Sequence, residues 1–272
     1  MRVTGLITLT TDFGLQDSFV GQLKGALLTA NRSVQIIDLC HAVPPHDILS
    51  AALTIHTSYT YFPEGSLHLI VVDPGVGSRR HLLVAEADNH LFVAPDNGLL
   101  SLFFTDNTIS ALYRIENASL FSKNISNTFH GRDIMAPVAA ELAGGMAPDQ
   151  VGPATTIDSC IHLDLPKPTV SSSEIVGQIV QIDHFGNMRT NITRADLDNF
   201  PPSTFPKLRI KGQRMANFVR TYADVSSDRL LALIDSEGYL EIAVNRGNAA
   251  RRLNSSIGDM VTVVMQQKEQ KE

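Results

Sequence analysis

Hydrophobic and polar positions along the first 145 residues alternate between two periods. Residues 3–9, 34–39, 67–72, 82–87 and 91–94 are apolar runs of strand length, and the run LHLIVV at 67–72 ends directly on Asp73. Between them, Phe19, Leu23, Ala26 and Leu27 recur at helical spacing within 17–30, and Ile48, Ala51, Ala52 and Ile55 form a second stripe. Residues 132–143, with Ile134, Val138 and Leu142 on one face, close the section as a helix. Strand followed by helix, repeated, predicts an α/β N-terminal domain with a largely parallel sheet. Gly21 and Gly25 stand one above the other on the first helix, which predicts close approach by another element.

The pattern changes at 144–173, which holds Pro148, Pro153, Pro166, Pro168 and the run Ser171, Ser172, Ser173. Such breakers predict a linker at 161–173 after a first domain at 1–160. Beyond it the runs are short and strand-like, at 174–183, 208–211, 229–234, 239–243 and 260–265, with Gly and Asn clusters between them. They predict a smaller all-β, barrel-like C-terminal domain over 174–267. The closing QQKEQKE is polar and expected to fray.

Composition narrows the possibilities. At roughly 100–200 residues per domain, 272 residues allow one large domain or two ordinary ones, each able to bury a core without disulfide or metal staples. Lys and Arg total 22 against 28 Asp and Glu, a net charge of −6 with no basic run, which argues against nucleic acid as partner. No apolar run reaches about 18 residues, so no membrane span is expected, and the N-terminus lacks the pattern of a signal peptide. Cys40 and Cys160 make no disulfide framework or metal spacing, so a reducing cytoplasm is the expected compartment.

Several segments carry polar residues where chemistry is expected. Thr10-Thr11-Asp12-Phe13-Gly14 follows the first strand, and ligands of open α/β sheets sit beyond the carboxyl ends of strands. An Asp there can accept hydrogen bonds from a ribose diol, although the same residues also suit a plain turn capped at Asp17 or Ser18. Asp73-Pro74-Gly75-Val76-Gly77-Ser78-Arg79-Arg80 places an acid at the end of an apolar strand, where it needs a partner, and Arg80 is the candidate. Ala94-Pro95-Asp96-Asn97-Gly98 reads as a structural turn. His130 precedes a helix, whose dipole disfavours imidazolium and keeps the ring a base; the other eight histidines are read as packing residues. In the second domain, Asp183-His184-Phe185-Gly186-Asn187, Ser236-Glu237-Gly238-Tyr239 and Asn245-Arg246-Gly247-Asn248-Ala249-Ala250 are turns whose polar residues could line one site.

Taken in order, TTDFGLQDSFVGQLKG, VVDPGVGS, APDNG, TFHGRDIMAP, DHFGNMRTNI and GYLEIAVNRGNAA resemble the S-adenosylmethionine hydrolases (adenosine-forming), relatives of the nucleophilic fluorinases and chlorinases. The resemblance covers nearly the whole chain. It implies an α/β domain followed by a β-barrel domain, and a homotrimer whose substrate lies between the N-domain of one subunit and the C-domain of its neighbour. It implies a catalytic trio of Asp73, Arg80 and His130, with Arg79 the neighbour that could be mistaken for Arg80. In the halogenases the positions of Asp73 and His130 look like Tyr, and Gly131 stands where a fluorinase holds halide with Ser; together these differences favour water as nucleophile. Asp12 matches an acid on the ribose hydroxyls, Asp17 and Ser18 match residues near the methionine amino and carboxylate groups, and Asp183 matches another amino-group contact. Asn187 matches an adenine-edge contact, Phe185 packs by the base, Ser236 matches a carboxylate contact, and Ala249 offers backbone to adenine. Glu237 stands where the halogenases have Arg.

The implied reaction is S-adenosylmethionine plus water giving adenosine plus methionine. The thioether leaves as a neutral group, so no acid is needed, and the sulfonium is its own activation, so no cofactor or metal is expected. A shaped pocket would hold water in line with the 5′ carbon. His130 would take a proton, oriented by Asp73, and Arg80 would stabilise developing hydroxide. Open alternatives at this point are a halogenase acting on the same carbon, a non-catalytic nucleoside binder, and a metal hydrolase built on Asp12, Asp73, His130 and Asp133.

Overall fold

The computed structural model describes residues 2–200, 204–215 and 218–267. It divides into two compact units, Met1–Asp164 and Leu165–Glu272.

In the first unit six strands, β1 (Leu6–Thr11), β2 (Gln35–Cys40), β3 (Leu67–Val71), β4 (Leu82–Ala87), β5 (His90–Pro95) and β6 (Ile109–Arg114), form one sheet in the order β2-β1-β3-β5-β4-β6. The first three pairings are parallel, and β4 runs antiparallel to both of its neighbours. Every residue of β3 and β5 is buried, as expected of strands covered on both faces. Side-chain alternation divides the apolar residues between two cores. Ile7, Leu9, Leu67, Leu69 and Val71 join Leu23 and Leu27 of α1 (Phe19–Ala30). Ile70, Ala85 and Phe92 join Ala51 and Ile55 of α2 (Ile48–His56) and Phe103 of α3 (Ser101–Thr105). Val138 and Leu142 of α4 (Ala136–Ala143) complete the first core.

The chain leaves β1 toward β2 on one side and returns to β3 on the other. Such a reversal opens a crevice beyond the strands' carboxyl ends. The turns after β1 and β3, carrying Asp12 and Asp73, lie at that end.

In the second unit β7 (Thr169–Val170), β8 (Glu174–Ile182), β9 (Met188–Thr193), β10 (Thr204–Ile210), β11 (Gln213–Met215), β12 (Leu230–Ile234), β13 (Tyr239–Val244) and β14 (Met260–Gln267) form an antiparallel sheet. The order is β11-β10-β14-β8-β9-β13-β12, with β7 added to β8. The outermost strands β11 and β12 approach each other, which nearly closes the sheet into a barrel around Ile175, Ile179, Met188, Ile192, Leu240, Ile242, Val261 and Val263. Two one-turn helices, α5 (Arg194–Asp198) and α6 (Ala249–Leu253), follow β9 and β13.

Some local expectations are corrected. Gly21 and Gly25 are exposed, and a Cβ on either would meet nothing within 4 Å. The helix expected over 132–143 is two pieces, a π-helical turn at Gly131–Met135 followed by α4. β6 and β9 were not anticipated. Within 161–173, Ile161 donates its amide to Asp96, Leu163 donates to Ser101, and Thr169–Val170 is strand. Of the tail expected to fray, Gln266 and Gln267 belong to β14, and 268–272 lie outside the described residues.

Candidate active site

Asp73 leaves the apolar strand β3 and meets the guanidinium that its charge requires. Arg80 Nε donates to Asp73 Oδ1 at 2.6 Å and Nη2 donates to Oδ2, a two-point clasp with both side chains about 5% exposed. Arg79 is exposed. The same Nη2 lies 3.3 Å from His130 Nδ1. Arg80 is therefore the middle member of the trio, and Asp73 orients Arg80; among the described residues no hydrogen bond joins Asp73 to His130.

Two glycines bring these segments together. Gly77, at φ +78, sits where a Cβ would lie 2.5 Å from the Asn127 carbonyl oxygen, so the turn after β3 presses against the loop leading to His130. Gly131 packs on β3 so closely that a Cβ would lie 2.6 Å from Val71 Cγ1. The π-helical turn starts here, its wider bonding marked by Ala136 N–H donating to the Gly131 carbonyl. Asp133 secures it from below: it pairs with Arg132 at 2.7 Å and accepts the Ser126 amide at 2.8 Å.

Burial and the neighbouring Arg80 charge hold the His130 pKa below the ordinary imidazole value, so the ring is neutral near pH 7. An arginine nitrogen can only donate. Its contact therefore makes Nδ1 the acceptor and puts the hydrogen of the neutral ring on Nε2. The base expected from the helix dipole is neutral as anticipated, but burial and Arg80 are the leading causes.

His130, Asp73 and Asp12 line one hollow of about 260 Å³ together with Phe13, Phe19, Val71, Phe129 and Gly131. The rings of Phe13, Phe19 and Phe129 meet pairwise at 5.5–5.8 Å between centroids. Phe19 was expected on the core face of α1; its ring is 43% exposed and belongs to this wall. Asp12 accepts the His46 amide on Oδ2 at 2.9 Å, and its Oδ1 has no hydrogen-bond partner among the described residues. Asp17 and Ser18 lie in the exposed turn entering α1, outside the lining of this hollow. Ser18 is the N-cap of α1 without a capping hydrogen bond.

The second unit has its own hollow, of about 630 Å³, lined by Asp183, Phe185, Asn187, Tyr222 and the turn at 244–248. Residues 183–187 form a closed loop in which Asp183 accepts the Asn187 amide at 2.8 Å and its side-chain nitrogen at 3.0 Å. Asp183 thus aims the carboxamide of Asn187. Phe185 is 71% exposed and Tyr222 40% exposed, and both line this hollow. Tyr222, the first residue of a single 3-10 turn, has no periodic signature in the sequence. Ser236 is exposed at the β12–β13 turn, bonded to Glu237 at 3.1 Å, and Ala249 is fully buried at the start of α6. Neither lines the hollow. Among the described residues no cluster of three or more His, Cys, Asp or Glu is placed to hold a metal ion; Asp12, Asp73, His130 and Asp133 do not form one. No helix among them is long and apolar enough to cross a membrane.

The family model for the SAM hydroxide adenosyltransferase N-terminal domain matches residues 7–152, and that for the C-terminal domain matches 177–262. The chain belongs to this family. A relative from Salinispora tropica, named (R)-S-adenosyl-L-methionine hydrolase, is 36% identical, covering 97% of this chain and 99% of its own. A fluorinase from Actinoplanes sp. is 30% identical over 95% of this chain and 97% of its own. Among solved structures, an uncharacterized conserved protein from Thermotoga maritima superposes with a TM-score of 0.87 at 36% identity, covering 95% of this chain and 99% of that one.

Proposed function

We propose that this chain hydrolyses S-adenosyl-L-methionine to adenosine and L-methionine by attack of water at the 5′ carbon. The observation that carries the reading is the chain of contacts Asp73–Arg80–His130, whose two ends, Asp73 and His130, line a hollow that Asp12 also lines. Salinispora tropica's relative bears the name of that activity.

The first unit's hollow suits the reacting centre. Asp12 offers a carboxylate oxygen to the ribose diol and its charge attracts a sulfonium. The three phenyl rings keep the remaining volume apolar, so the cavity holds few competing waters. His130 Nε2–H donates to the oxygen of the attacking water and fixes it in line with the carbon–sulfur bond. Arg80, held by Asp73, supplies positive charge near the oxygen as it bonds to carbon and its proton passes to solvent water. The carbon–oxygen bond forms while the carbon–sulfur pair returns to sulfur. The balance is S-adenosylmethionine cation plus water to adenosine, methionine and one proton.

The second unit's hollow suits the base. Phe185 and Tyr222 present aromatic surface for a flat heterocycle, and Asp183 aims the Asn187 amide at its edge. The roles of Asp17, Ser18 and Ser236 toward the methionine end, and of Ala249 toward adenine, rest on the resemblance alone. So does the homotrimer in which neighbouring chains contribute the two hollows. No cofactor is invoked. The free thiols of Cys40 and Cys160 accord with a cytoplasmic setting.

The reading is tested by incubation with S-adenosyl-L-methionine at saturating chloride or fluoride. Adenosine and methionine in equal amounts, unaffected by halide, support it. Formation of 5′-halo-5′-deoxyadenosine, or an intact substrate, overturns it.

A further inference from the structure

The turn that carries Asp12 is held by a buried polar chain that the proposed chemistry does not use. Thr11, the last residue of β1, is fully buried, and its Oγ1 lies 2.8 Å from Nδ1 of His41, itself 5% exposed. Thr11 Oγ1 also accepts the Phe13 amide at 3.3 Å. On the other side of the ring, His41 Nε2 lies 3.0 Å from Asp38 Oδ1, and Asp38 is anchored by Lys24 at 2.7 Å. The backbone carbonyl of His41 accepts the Gly14 amide at 2.8 Å. Five residues along, His46 adopts φ +67, a conformation unusual for a residue with a side chain, and donates its amide to Asp12 Oδ2.

These bonds converge on one result. Residues 11–14 are tied at Thr11, Phe13 and Gly14, and the segment starting at His41 reaches back to seize one oxygen of Asp12. The other oxygen has no hydrogen-bond partner among the described residues, and Asp12 lines the hollow. We infer that His41 is a positioning residue: through Thr11 and Gly14 it fixes the turn that presents Asp12 Oδ1 to the ligand. The arrangement resembles a Thr-His-Asp relay, but the buried Thr11 hydroxyl has no access to substrate, so its work is orientation. This inference rests on the proposed function only for the identity of the ligand.

Thr11→Val is the decisive substitution, because it keeps the shape of the buried residue and deletes only the hydroxyl. If Asp12 contacts the ribose in ground and transition states alike, Thr11→Val should raise KM for S-adenosyl-L-methionine about 10-fold with kcat within twofold. Thr11→Ser should restore the wild-type KM. In an Asp12→Ala background, Thr11→Val should have no further effect, since the oxygen it positions is gone. A 10-fold loss repeated in that background would mean that His41 only supports the fold, and would overturn the inference. Amide hydrogen exchange provides a readout independent of turnover. Thr11→Val should speed exchange at Phe13, Gly14 and His46 at least 10-fold while α4 stays protected. Unchanged exchange at all three overturns the inference. Should the wild-type protein leave S-adenosyl-L-methionine intact, the functional reading fails, and exchange alone decides the role of His41.

Discussion

Arg80 stands between two partners: it clasps Asp73 at two points and presents Nη2 to His130 Nδ1 at 3.3 Å. The charge of Asp73 is thereby spent on holding the guanidinium, and the histidine feels the positive side of the pair. This ordering differs from the Asp-to-His relay that the residue types alone suggest, and it sets the protonation state of the imidazole.

Arg80→Lys keeps the charge but loses the fork that grips Asp73. Turnover should fall by about 10²–10³-fold, with KM changed less than threefold. His130→Ala should fall by a similar factor while still binding substrate. Because the His130 pKa lies below its ordinary value, the ring is neutral at pH 7 and gains a proton only at a pH below the ordinary imidazole range. Activity should be flat from pH 7 to 8 and decline on the acid side, and His130→Asn should remove that acid limb. Steady-state kinetics across pH checks each point; an acid limb that persists in His130→Asn assigns it to another group.

The close packing of Gly131 on Val71 predicts a stability effect. Gly131→Ser places a Cβ 2.6 Å from Val71 Cγ1, so the π-helical turn must lift from β3. The variant should unfold with a loss of about 1–3 kcal/mol. Val71→Ala in the same chain should recover most of it. Denaturant titration of the single and double variants measures this, and a Gly131→Ser protein as stable as wild type would show that the turn has slack.

A second buried cluster governs acid stability. His68 is fully buried, bonded to Thr8 Oγ1 at 2.7 Å and to His90 at 3.1 Å, and burial pushes its pKa down to about 3. The unfolded chain takes up this proton near pH 6.5, the folded chain only near 3. Stability attributable to His68 is complete above 6.5 and is lost as pH falls through that window, at about 1.4 kcal/mol per pH unit. The pair Thr8→Val and His68→Phe removes the titration together with its partner. Wild type should lose stability relative to this double variant between pH 6 and 4; parallel curves would contradict the assignment.

Much of the fold was legible because apolar runs report burial. The run at 82–87 coincides with β4, and Leu23 and Leu27 of the α1 stripe and Ala51, Ala52 and Ile55 of the α2 stripe are buried, while Phe19 is not. β6 was missed because it is a half-exposed edge strand, ISALYR, with no strong alternation. β9 does alternate, with Met188, Thr190 and Ile192 buried, but its half-buried Arg189, Asn191 and Thr193, together with Thr190, leave it without an apolar run. A 3.6-residue period cannot distinguish the π-helical turn at Gly131 from an α-helix. Of the site, Asp12, Asp73, Arg80 and His130 are brought together in the first unit, and Asp183, Phe185 and Asn187 in the second. The aromatic wall of Phe13, Phe19 and Phe129 draws on separate segments, so only the folded chain reveals it.

The most direct test of the account is turnover of S-adenosyl-L-methionine in ¹⁸O-labelled water, followed by mass analysis of the nucleoside. The account predicts one ¹⁸O in the 5′ hydroxyl of adenosine, with one proton released per turnover. Unlabelled adenosine, or label appearing only in methionine, would contradict attack by water at the 5′ carbon.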